Sequence, residues 1–275
     1  MTRGGTAVLR YRPPTELGVP RARLTYRLAA SVAFRSMDVQ RWQFDVRGTD
    51  HIPDSGGAVI AANHIGFWDF FTVGREAYYR HGRPVRILAK DTLFDVPVFG
   101  RVMHAARHIP VYRAEGAGAL RAAVEALRNG ELVLVLPEQT ISPAFELLPF
   151  KTGAARMAAA AEVPIIPVAS WGSHRFHTVL HQPRWQWRLP VSVSYGEPID
   201  PTTDSDPFDV TQRLREDIRV LADELVTTYA DGAPAGAWWV PERFGGGAPS
   251  PREGDEYVER IRRTRFGRQR NRRVS

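Results

Sequence analysis

The chain has 275 residues, enough for one large α/β domain or two smaller ones built around an apolar core. It contains no cysteine, which excludes disulfides, thiolate catalysis and Cys-ligated zinc or iron–sulfur sites. The formal net charge of +7 comes almost wholly from arginine, since Lys90 and Lys151 are the only lysines among 37 basic residues. This charge favours anionic partners such as lipid headgroups, nucleic acid or an acidic carrier protein.

The first 42 residues combine a Gly- and Pro-rich lead-in, residues 1–20, with an amphipathic helix predicted over residues 21–42. One side of that helix carries five apolar residues, Leu24, Leu28, Val32, Val39 and Trp42. Such a side fits either the headgroup boundary of a membrane or the protein core. The sequence has neither a run of 18 apolar residues nor a signal-peptide pattern. We therefore expect that, if the protein meets a membrane, it lies on the bilayer without crossing it.

From residue 43 onward, strand-like and helix-like segments alternate, which predicts a single α/β domain with a mostly parallel central sheet flanked by helices. The predicted strands are 43–47, 57–62, 85–89, 108–112, 132–136, 164–169 and 190–195. The predicted helices are 68–80, 96–105, 117–129, 151–161 and 207–230.

The end of the chain has a different composition. Residues 231–256 are Gly- and Pro-rich and predicted to be loop-like, and the last sixteen residues, 260–275, hold eight arginines and no acid. We therefore divide the chain into a lead-in with a membrane-associating helix (1–42), one domain (43–230) and a Gly/Pro-rich and Arg-rich extension (231–275).

The loop after the predicted strand 57–62 carries Asn63, His64 and Asp69. Ligands bind to open α/β sheets beyond the carboxyl ends of strands, so His64 occupies a favourable position. On a continuous helix His64 and Asp69 would lie about 140° apart. Across a strand–loop–helix corner, however, the carboxylate can turn back and orient the imidazole. The alternative is that Asp69 only caps the helix and His64 is an ordinary loop histidine.

Three further blocks follow in chain order. A strand that begins near His108 ends at Arg113, whose guanidinium suits a phosphate. The segment Pro137–Ser142 is followed by Lys151, at the start of a predicted helix whose free amides suit an anion. The block Val163–Val168 contains prolines that favour a sheet edge or a close approach to substrate. Taken singly, Arg113 and Lys151 are explained as well by solvated surface cations.

Together, and at these separations, the four blocks resemble the glycerolipid acyltransferase family, which includes the lysophosphatidic acid acyltransferases. The matching blocks are N-H-x-x-x-x-D at Asn63–Asp69, the strand ending in arginine at Ile109–Arg113, F-P-E-G-T-R-S at Leu136–Ser142, and V-P-I-x-P-V at Val163–Val168. Two positions depart from the family pattern. Gln139 stands where the family has glycine, and Ile141 stands where it has an arginine thought to help hold the acceptor's phosphate.

The resemblance implies a glycerol-3-phosphate acyltransferase-like fold. It also implies transfer of a fatty acyl group from acyl-CoA or acyl carrier protein to a lysophospholipid hydroxyl, above all that of 1-acylglycerol-3-phosphate. His64 would be the general base and Asp69 its partner, with direct attack on the thioester and no acyl-enzyme. The expected substrate-binding residues are Arg113, Glu138, Gln139, Thr140 and Lys151. Backbone amides near Glu138–Thr140 would stabilise the oxyanion.

This chemistry needs no metal and no organic cofactor. We expect a peripheral or monotopic protein on the cytoplasmic face of the cell membrane, with anionic membrane lipids as partners. One alternative is another acceptor, such as a glycolipid or lysophosphatidylglycerol. A second is a metal-dependent hydrolase that uses His64, Asp69 and either His104 or His108, although no H-x-H or H-E-x-x-H spacing supports it. A third is nucleic-acid binding by the arginine-rich end; we expect no nucleic acid, because no reader motif is visible.

Overall fold

The computed structural model describes residues 24–112 and 116–272. In these residues the strands are β1 Gln43–Arg47, β2 Ala58–Ala62, β3 Val85–Lys90, β4 Ile109–Val111, β5 Leu132–Val135, β6 Ile165–Trp171 and β7 Pro190–Tyr195. The helices are α1 Leu24–Val39, α2 Asp69–His81, α3 Phe99–Ala105, α4 Gly116–Arg128, α5 Gly153–Ala161, α6 Pro207–Thr227 and α7 Pro251–Arg272. Every predicted strand is present, and no strand boundary moves by more than two residues.

The strands form one sheet in the order β1-β7-β6-β2-β5-β3-β4. Neighbours are parallel except β6 and β7, so β1 and β7 run opposite to the other five strands. The prediction of a single α/β domain with a mostly parallel central sheet is confirmed. Strand β2 lies in the middle of the sheet, between β5 and β6. Its carboxyl end therefore lies at the centre of the row of strand ends on one side of the sheet.

Helices cover both faces of the sheet, and the middle strand contacts both layers. Ala58, Ile60 and Ala62 belong to the core beneath α1 and α2, whereas Val59 and Ala61 belong to the core beneath α4, α5 and α6. A strand covered on both sides needs apolar residues at every position, and all five residues of β2 are buried. For this reason the strand is apolar throughout and shows no alternation with polar residues.

Helix α1 has two apolar sides. One side packs into the core through Ala30, Ala33, Phe34 and Met37. The other side leaves Leu28, Val32 and Val39 largely exposed, beside the exposed Arg27 and Arg35. Packing on the core is thus observed for one side of the helix, and contact of the other side with a membrane stays a prediction. The exposed apolar residues are called the α1 stripe below.

Trp42 does not belong to the exposed apolar side of α1, with which the sequence grouped it. It is buried, with its ring 5.8 Å from that of Trp68 and 5.3 Å from that of Phe176. The helix ends at Val39, so the chain has already turned toward β1 when it reaches Trp42. Residues 1–23 and the side chain of Leu24 lie outside the described part of the structure. None of the helices within the described residues has the length and apolar character needed to span a bilayer.

The C-terminal extension differs from the loop predicted over residues 231–256, because α7 begins at Pro251. Ser250 and Glu253 start this helix as a capping box. The Ser250 amide donates to the Glu253 carboxylate at 2.8 Å, and the Glu253 amide donates to the Ser250 hydroxyl at 3.3 Å. Pro251 takes the first helical position, where its missing N–H costs nothing. Apolar periodicity alone does not detect such a helix, since most of its residues are charged or polar.

Candidate active site

The loop that follows β2 is held rigidly against β6. Asn63, the first loop residue, is buried. Its side-chain amide donates to the carbonyl of Ser170 at 3.1 Å, and its side-chain oxygen accepts from the amide of Ser170 at 2.8 Å. This pair of bonds continues the contact between β2 and β6 beyond the ladder, so the loop leaves the sheet in a fixed direction.

His64 and Asp69 meet across this corner. Nδ1 of His64 lies 3.1 Å from Oδ2 of Asp69, and the same oxygen accepts the backbone amides of Ile65 at 2.7 Å and Gly66 at 2.8 Å. Asp69 is fully buried, whereas the His64 side chain is 17% exposed. The N-cap position belongs to Trp68, and the Asp69 carboxylate turns back toward the loop. The carboxylate thus fixes the imidazole and leaves one edge of the ring open.

Ser173 is a further contact that the sequence did not indicate. It lies in the turn after β6, and its hydroxyl donates to Oδ1 of Asp69 at 2.7 Å. Ser173 is fully buried. Both oxygens of Asp69 are therefore engaged, one by Ser173 and the other by His64 and the loop amides. The only available signal was positional, because Ser173 follows the strand next to β2 in the sheet.

Glu138 supports the same loop from the other side. One carboxylate oxygen accepts the backbone amide of His64 at 2.7 Å, and the other accepts the amide of Leu148 at 2.8 Å. Burial raises the pKa of Glu138 to about 8, although the two amides favour the charged form. We predicted that Glu138 binds substrate. In the structure its carboxylate is buried and both oxygens accept backbone amides, and a direct contact with substrate stays a prediction.

The other predicted substrate-binding residues differ in position. Gln139 is exposed and its amide donates to the carbonyl of Leu136 at 3.0 Å, so this amide is already bonded within the turn. Lys151 is exposed, and its amide bonds the carbonyl of Pro137 at 3.0 Å, so it adjoins the same turn. Arg113 lies outside the described residues.

Two other histidines form hydrogen bonds with backbone groups inside the fold. His108 precedes the edge strand β4, three places from β2 in the sheet, and its Nδ1 accepts from the Ile87 amide at 3.2 Å. His174 is buried between aromatic rings and bonds the carbonyl of Trp239 at 2.9 Å. Burial lowers the pKa of each to about 4. Within residues 24–112 and 116–272, no three His, Asp or Glu side chains are grouped so as to hold a metal ion.

The profile of the family described as Acyltransferase matches residues 43–171, from the start of β1 to the end of β6. This segment is an acyltransferase-family domain. It contains His64, Asp69 and Glu138, and the resemblance noted in the sequence is confirmed. Ser173, however, lies just beyond the matched residues.

Several curated proteins are similar to this chain. A chloroplastic 1-acyl-sn-glycerol-3-phosphate acyltransferase of Brassica napus is 29% identical over 136 residues, or 48% of this chain and 38% of the relative. A 1-acyl-sn-glycerol-3-phosphate acyltransferase of Pseudomonas aeruginosa is 28% identical over 131 residues, 46% of this chain and 49% of the relative. An uncharacterized protein of Mycobacterium leprae is 26% identical over 222 residues, 65% and 59% respectively. The chain thus spans less than two thirds of the length of these relatives.

The acyltransferase-family domain also has a solved counterpart. The crystal structure of the 1-acyl-sn-glycerophosphate (LPA) acyltransferase PlsC from Thermotoga maritima has a TM-score of 0.62 at 22% identity. The match covers 78% of this chain and 88% of that chain. The two proteins therefore share a fold.

The two departures from the family pattern have clear structural settings in this domain. Gln139 has a φ of 61°, in the left-handed region where glycine is unstrained and other residues pay about 1–2 kcal/mol. The family's glycine suits that backbone, and Gln139 keeps the turn at a cost. Ile141 is buried, so this position contributes an apolar contact in place of a cation.

Proposed function

We propose that this protein transfers a fatty acyl group from acyl-CoA or acyl carrier protein to the free hydroxyl of a lysophospholipid. The favoured acceptor is 1-acylglycerol-3-phosphate, which would give phosphatidic acid. The observation that carries the proposal is the 3.1 Å contact between His64 and Asp69 inside an acyltransferase-family domain. The names of the relatives from Brassica napus and Pseudomonas aeruginosa support this choice of acceptor.

The geometry of the pair supports the following reaction. With Nδ1–H directed at Asp69, Nε2 of His64 carries the lone pair that accepts the proton of the acceptor hydroxyl. The hydroxyl oxygen attacks the thioester carbonyl, and the amides of Glu138 and Thr140 donate to the oxyanion that forms. The new C–O bond is retained, the C–S bond breaks, and the imidazolium returns its proton to the leaving thiolate.

A thiol-release assay with one acyl thioester and a panel of lysophospholipids tests this function. We expect His64→Ala to lower turnover by about two to four orders of magnitude, because general-base help is typically of that size. Its melting temperature should stay near that of the wild type, since the side chain makes one polar contact. Retention of more than a few per cent of the wild-type rate by the folded variant would contradict the role of His64.

The chain offers a matched control for this experiment. His81 also pairs with a carboxylate, its Nδ1 lying 2.7 Å from Oδ1 of Asp54, but it is at the far end of α2 from Asp69. His81→Ala should leave turnover unchanged. Loss of activity on adding a chelator would instead favour the metal-dependent hydrolase.

For the acceptor's phosphate we propose Arg113 and Lys151, since the family's arginine is replaced by the buried Ile141. Lys151 is exposed beside the turn that carries the oxyanion donors. Replacing either cation by alanine should raise the acceptor KM by roughly one to two decades, from the loss of about 1.5–3 kcal/mol of charge-assisted bonding. The donor KM should change little.

Arg213→Ala is the control for the loss of one exposed cation, because Arg213 is exposed on α6 and its side chain faces Asp217 on the same helix. Unchanged acceptor KM in both the Arg113 and the Lys151 variants would mean that the phosphate is held elsewhere, or that the acceptor has a different headgroup.

We also propose that the protein works as a peripheral protein on the cytoplasmic face of the cell membrane. The acceptor is a bilayer lipid, and the α1 stripe exposes Leu28, Val32 and Val39 between arginines. Apolar residues in such a helix enter the headgroup boundary, and neighbouring arginines attract anionic lipids by about 1 kcal/mol each.

A further inference from the structure

Two tryptophans are exposed in the segment that joins β6 to β7. Trp185 is 66% and Trp187 is 56% exposed. Residues 176–189, called the tryptophan strap here, contain both of them. A tryptophan ring can bury roughly 150–250 Å² of surface, so two exposed rings within three residues are a substantial apolar feature. Neither ring is used by the proposed acyl transfer.

The tryptophan strap is fastened to the body of the protein. The amide of Arg184 donates to the carbonyl of Phe176 at 2.9 Å. The amides of Gln186 and Arg188 both donate to Gln40, to its side-chain oxygen at 3.2 Å and its backbone carbonyl at 2.8 Å. Gln40 is buried at the end of α1. The backbone on either side of each ring is thus fixed, and the rings are held on the surface.

The strap itself carries positive charge, since it contains two arginines and no acidic residue. Arg184 and Arg188 are exposed on either side of the tryptophans, and the guanidinium of Arg41 lies 5.3 Å from the centre of the Trp187 ring. From Ser173 to Gly196 the sequence contains no acidic residue. Tryptophan beside arginine is the composition found where proteins meet the headgroup level of a membrane.

The position of the strap links the α1 stripe to the candidate active site. At one end it bonds Gln40, the residue after Val39 of the stripe. At the other end the carbonyl of His177 accepts the amide of Phe67 at 3.1 Å, and the two rings lie 4.3 Å apart. Phe67 is itself partly exposed, three residues from His64. Exposed apolar side chains are therefore present at Val39 on α1, in the strap, and at Phe67 beside His64.

We propose that Trp185 and Trp187 form an interfacial anchor that enters the headgroup region of a bilayer containing anionic phospholipid. This anchor holds the exposed side of the His64 loop against the bilayer. This proposal rests on the proposed peripheral function and adds a second point of attachment to the α1 stripe. Two separate attachments, the α1 stripe and the strap that joins it to the His64 loop, fix the tilt of the protein on the membrane, which a single helix leaves free to vary. A lipid hydroxyl then reaches His64 without leaving the interface.

Flotation of the full-length protein with two kinds of vesicle tests the anchor. One contains phosphatidylcholine alone, and the other contains phosphatidylcholine with 30% phosphatidylglycerol, each over a series of salt concentrations. Trp185→Ala with Trp187→Ala should weaken binding to both by about tenfold or more at every salt concentration, because insertion of apolar rings is not screened by salt. Leu28→Glu with Val32→Glu should have a separate and comparable effect.

Phe208→Ala is the matched control. Phe208 is also an exposed aromatic residue, at 58%, but it begins α6, in the helix layer that covers the other face of the sheet from α1. Its replacement should leave binding unchanged. In the wild type, brominated phospholipid should quench tryptophan emission on binding, and Trp185→Phe with Trp187→Phe should remove most of that quenching. The phenylalanine variants keep the test informative if the alanine variants fold poorly.

Activity separates this proposal from the proposed function. The alanine pair should lose about tenfold in thiol release with an acceptor presented in vesicles, and less than twofold with a short-chain lysophospholipid below its critical micelle concentration. If the wild type transfers no acyl group but its tryptophans are still quenched, the anchor stands and the proposed function fails. Wild-type binding by the alanine pair overturns the anchor. It is also overturned if light scattering shows a wild-type dimer that the alanine pair converts to monomer, since the rings then serve a second copy of the chain.

Discussion

The loop from Asn63 to Asp69 and the tryptophan strap, residues 176–189, lie side by side and are joined by the bond between Phe67 and His177. In the loop, polar groups are buried and each carboxylate oxygen of Asp69 has a partner. In the strap, the backbone is fastened in a similar way, but the large apolar rings point to the surface. Both segments are fixed, and they differ in what they expose.

That difference suits the loop to proton transfer and the strap to attachment. A proton-transfer site needs its donor and acceptor at a fixed distance. Several buried hydrogen bonds therefore hold the Asp69 carboxylate in place. An attachment surface needs exposed apolar area and a stable backbone, and it tolerates substitution of the individual rings. Substitution of the buried Asp69 should therefore lower rate and stability together. Substitutions in the strap should weaken membrane binding and slow only the reaction with an acceptor held in a membrane.

The largest effect is expected at Asp69. Asp69→Ala removes the acceptor for Ser173, for two loop amides and for His64. Buried donors left without a partner cost about 1–3 kcal/mol each, so we expect the free energy of unfolding to fall by about 3 kcal/mol or more. We also expect turnover to fall by about two orders of magnitude or more, because the imidazole loses its orientation. Urea denaturation and thiol release measure the two quantities.

Asp54→Ala is the control for this variant, since Asp54 is exposed and pairs with His81. It should change stability by less than about 0.5 kcal/mol and leave turnover intact. An Asp69→Ala protein as stable as the Asp54→Ala protein would show that the convergent bonds contribute nothing to the fold.

A smaller effect is expected at Ser173. Ser173→Ala removes one bond to the Asp69 carboxylate and leaves the pairing with His64 in place. We expect kcat to fall about tenfold, equivalent to about 1.4 kcal/mol, with both KM values unchanged. Ser173→Thr, which restores a hydroxyl, should recover most of the rate if the bond matters. Ser192→Ala, at an equally buried serine in β7, should keep the wild-type kcat.

A different kind of effect is expected on the pH dependence of stability, and it arises from Glu138. The pKa of Glu138 is about 8 in the folded protein, against an ordinary value of 4.5. Between these values the folded state holds a proton that the unfolded state releases. Stability should therefore fall as pH rises through this window, by at most about 1.4 kcal/mol per pH unit. Glu138→Gln has no group to titrate and should flatten that slope between pH 5.5 and 7.5 in urea denaturation.

Glu242→Gln, at an exposed carboxyl, is the control and should retain the wild-type slope. A steep fall in the Glu138→Gln protein as well would assign the pH dependence to other groups.

Much of the fold was predictable because its signals are local. Apolar runs such as Leu132–Val135 mark strands covered on both sides, and helical spacing marks α4. The close contact of His64 and Asp69 was also predictable, since both residues lie at one strand–helix corner. Their roles in catalysis remain predictions, as do those of Arg113 and Lys151.

The remaining features depend on distant parts of the chain. The bond between Ser173 and Asp69 joins residues 104 positions apart, and no local pattern marks it. The inward position of Glu138 depends on the amides of His64 and Leu148, which only the folded chain brings together. Helix α1 has apolar residues on two sides, and periodicity does not tell which side faces the core.

The pairing of β1 with β7 has a consequence for how the chain is made. Gln43 pairs with Pro190, and β1 is an edge strand whose one neighbour in the sheet is β7. On a ribosome that adds about 5–20 residues per second, β1 waits roughly 7 to 30 s for its partner to be synthesised. The segment that carries the family profile stops at Trp171, before β7 and α6. A nascent chain of that length leaves β1 unpaired and the sheet incomplete, so the segment that matches the family profile is shorter than the unit that folds.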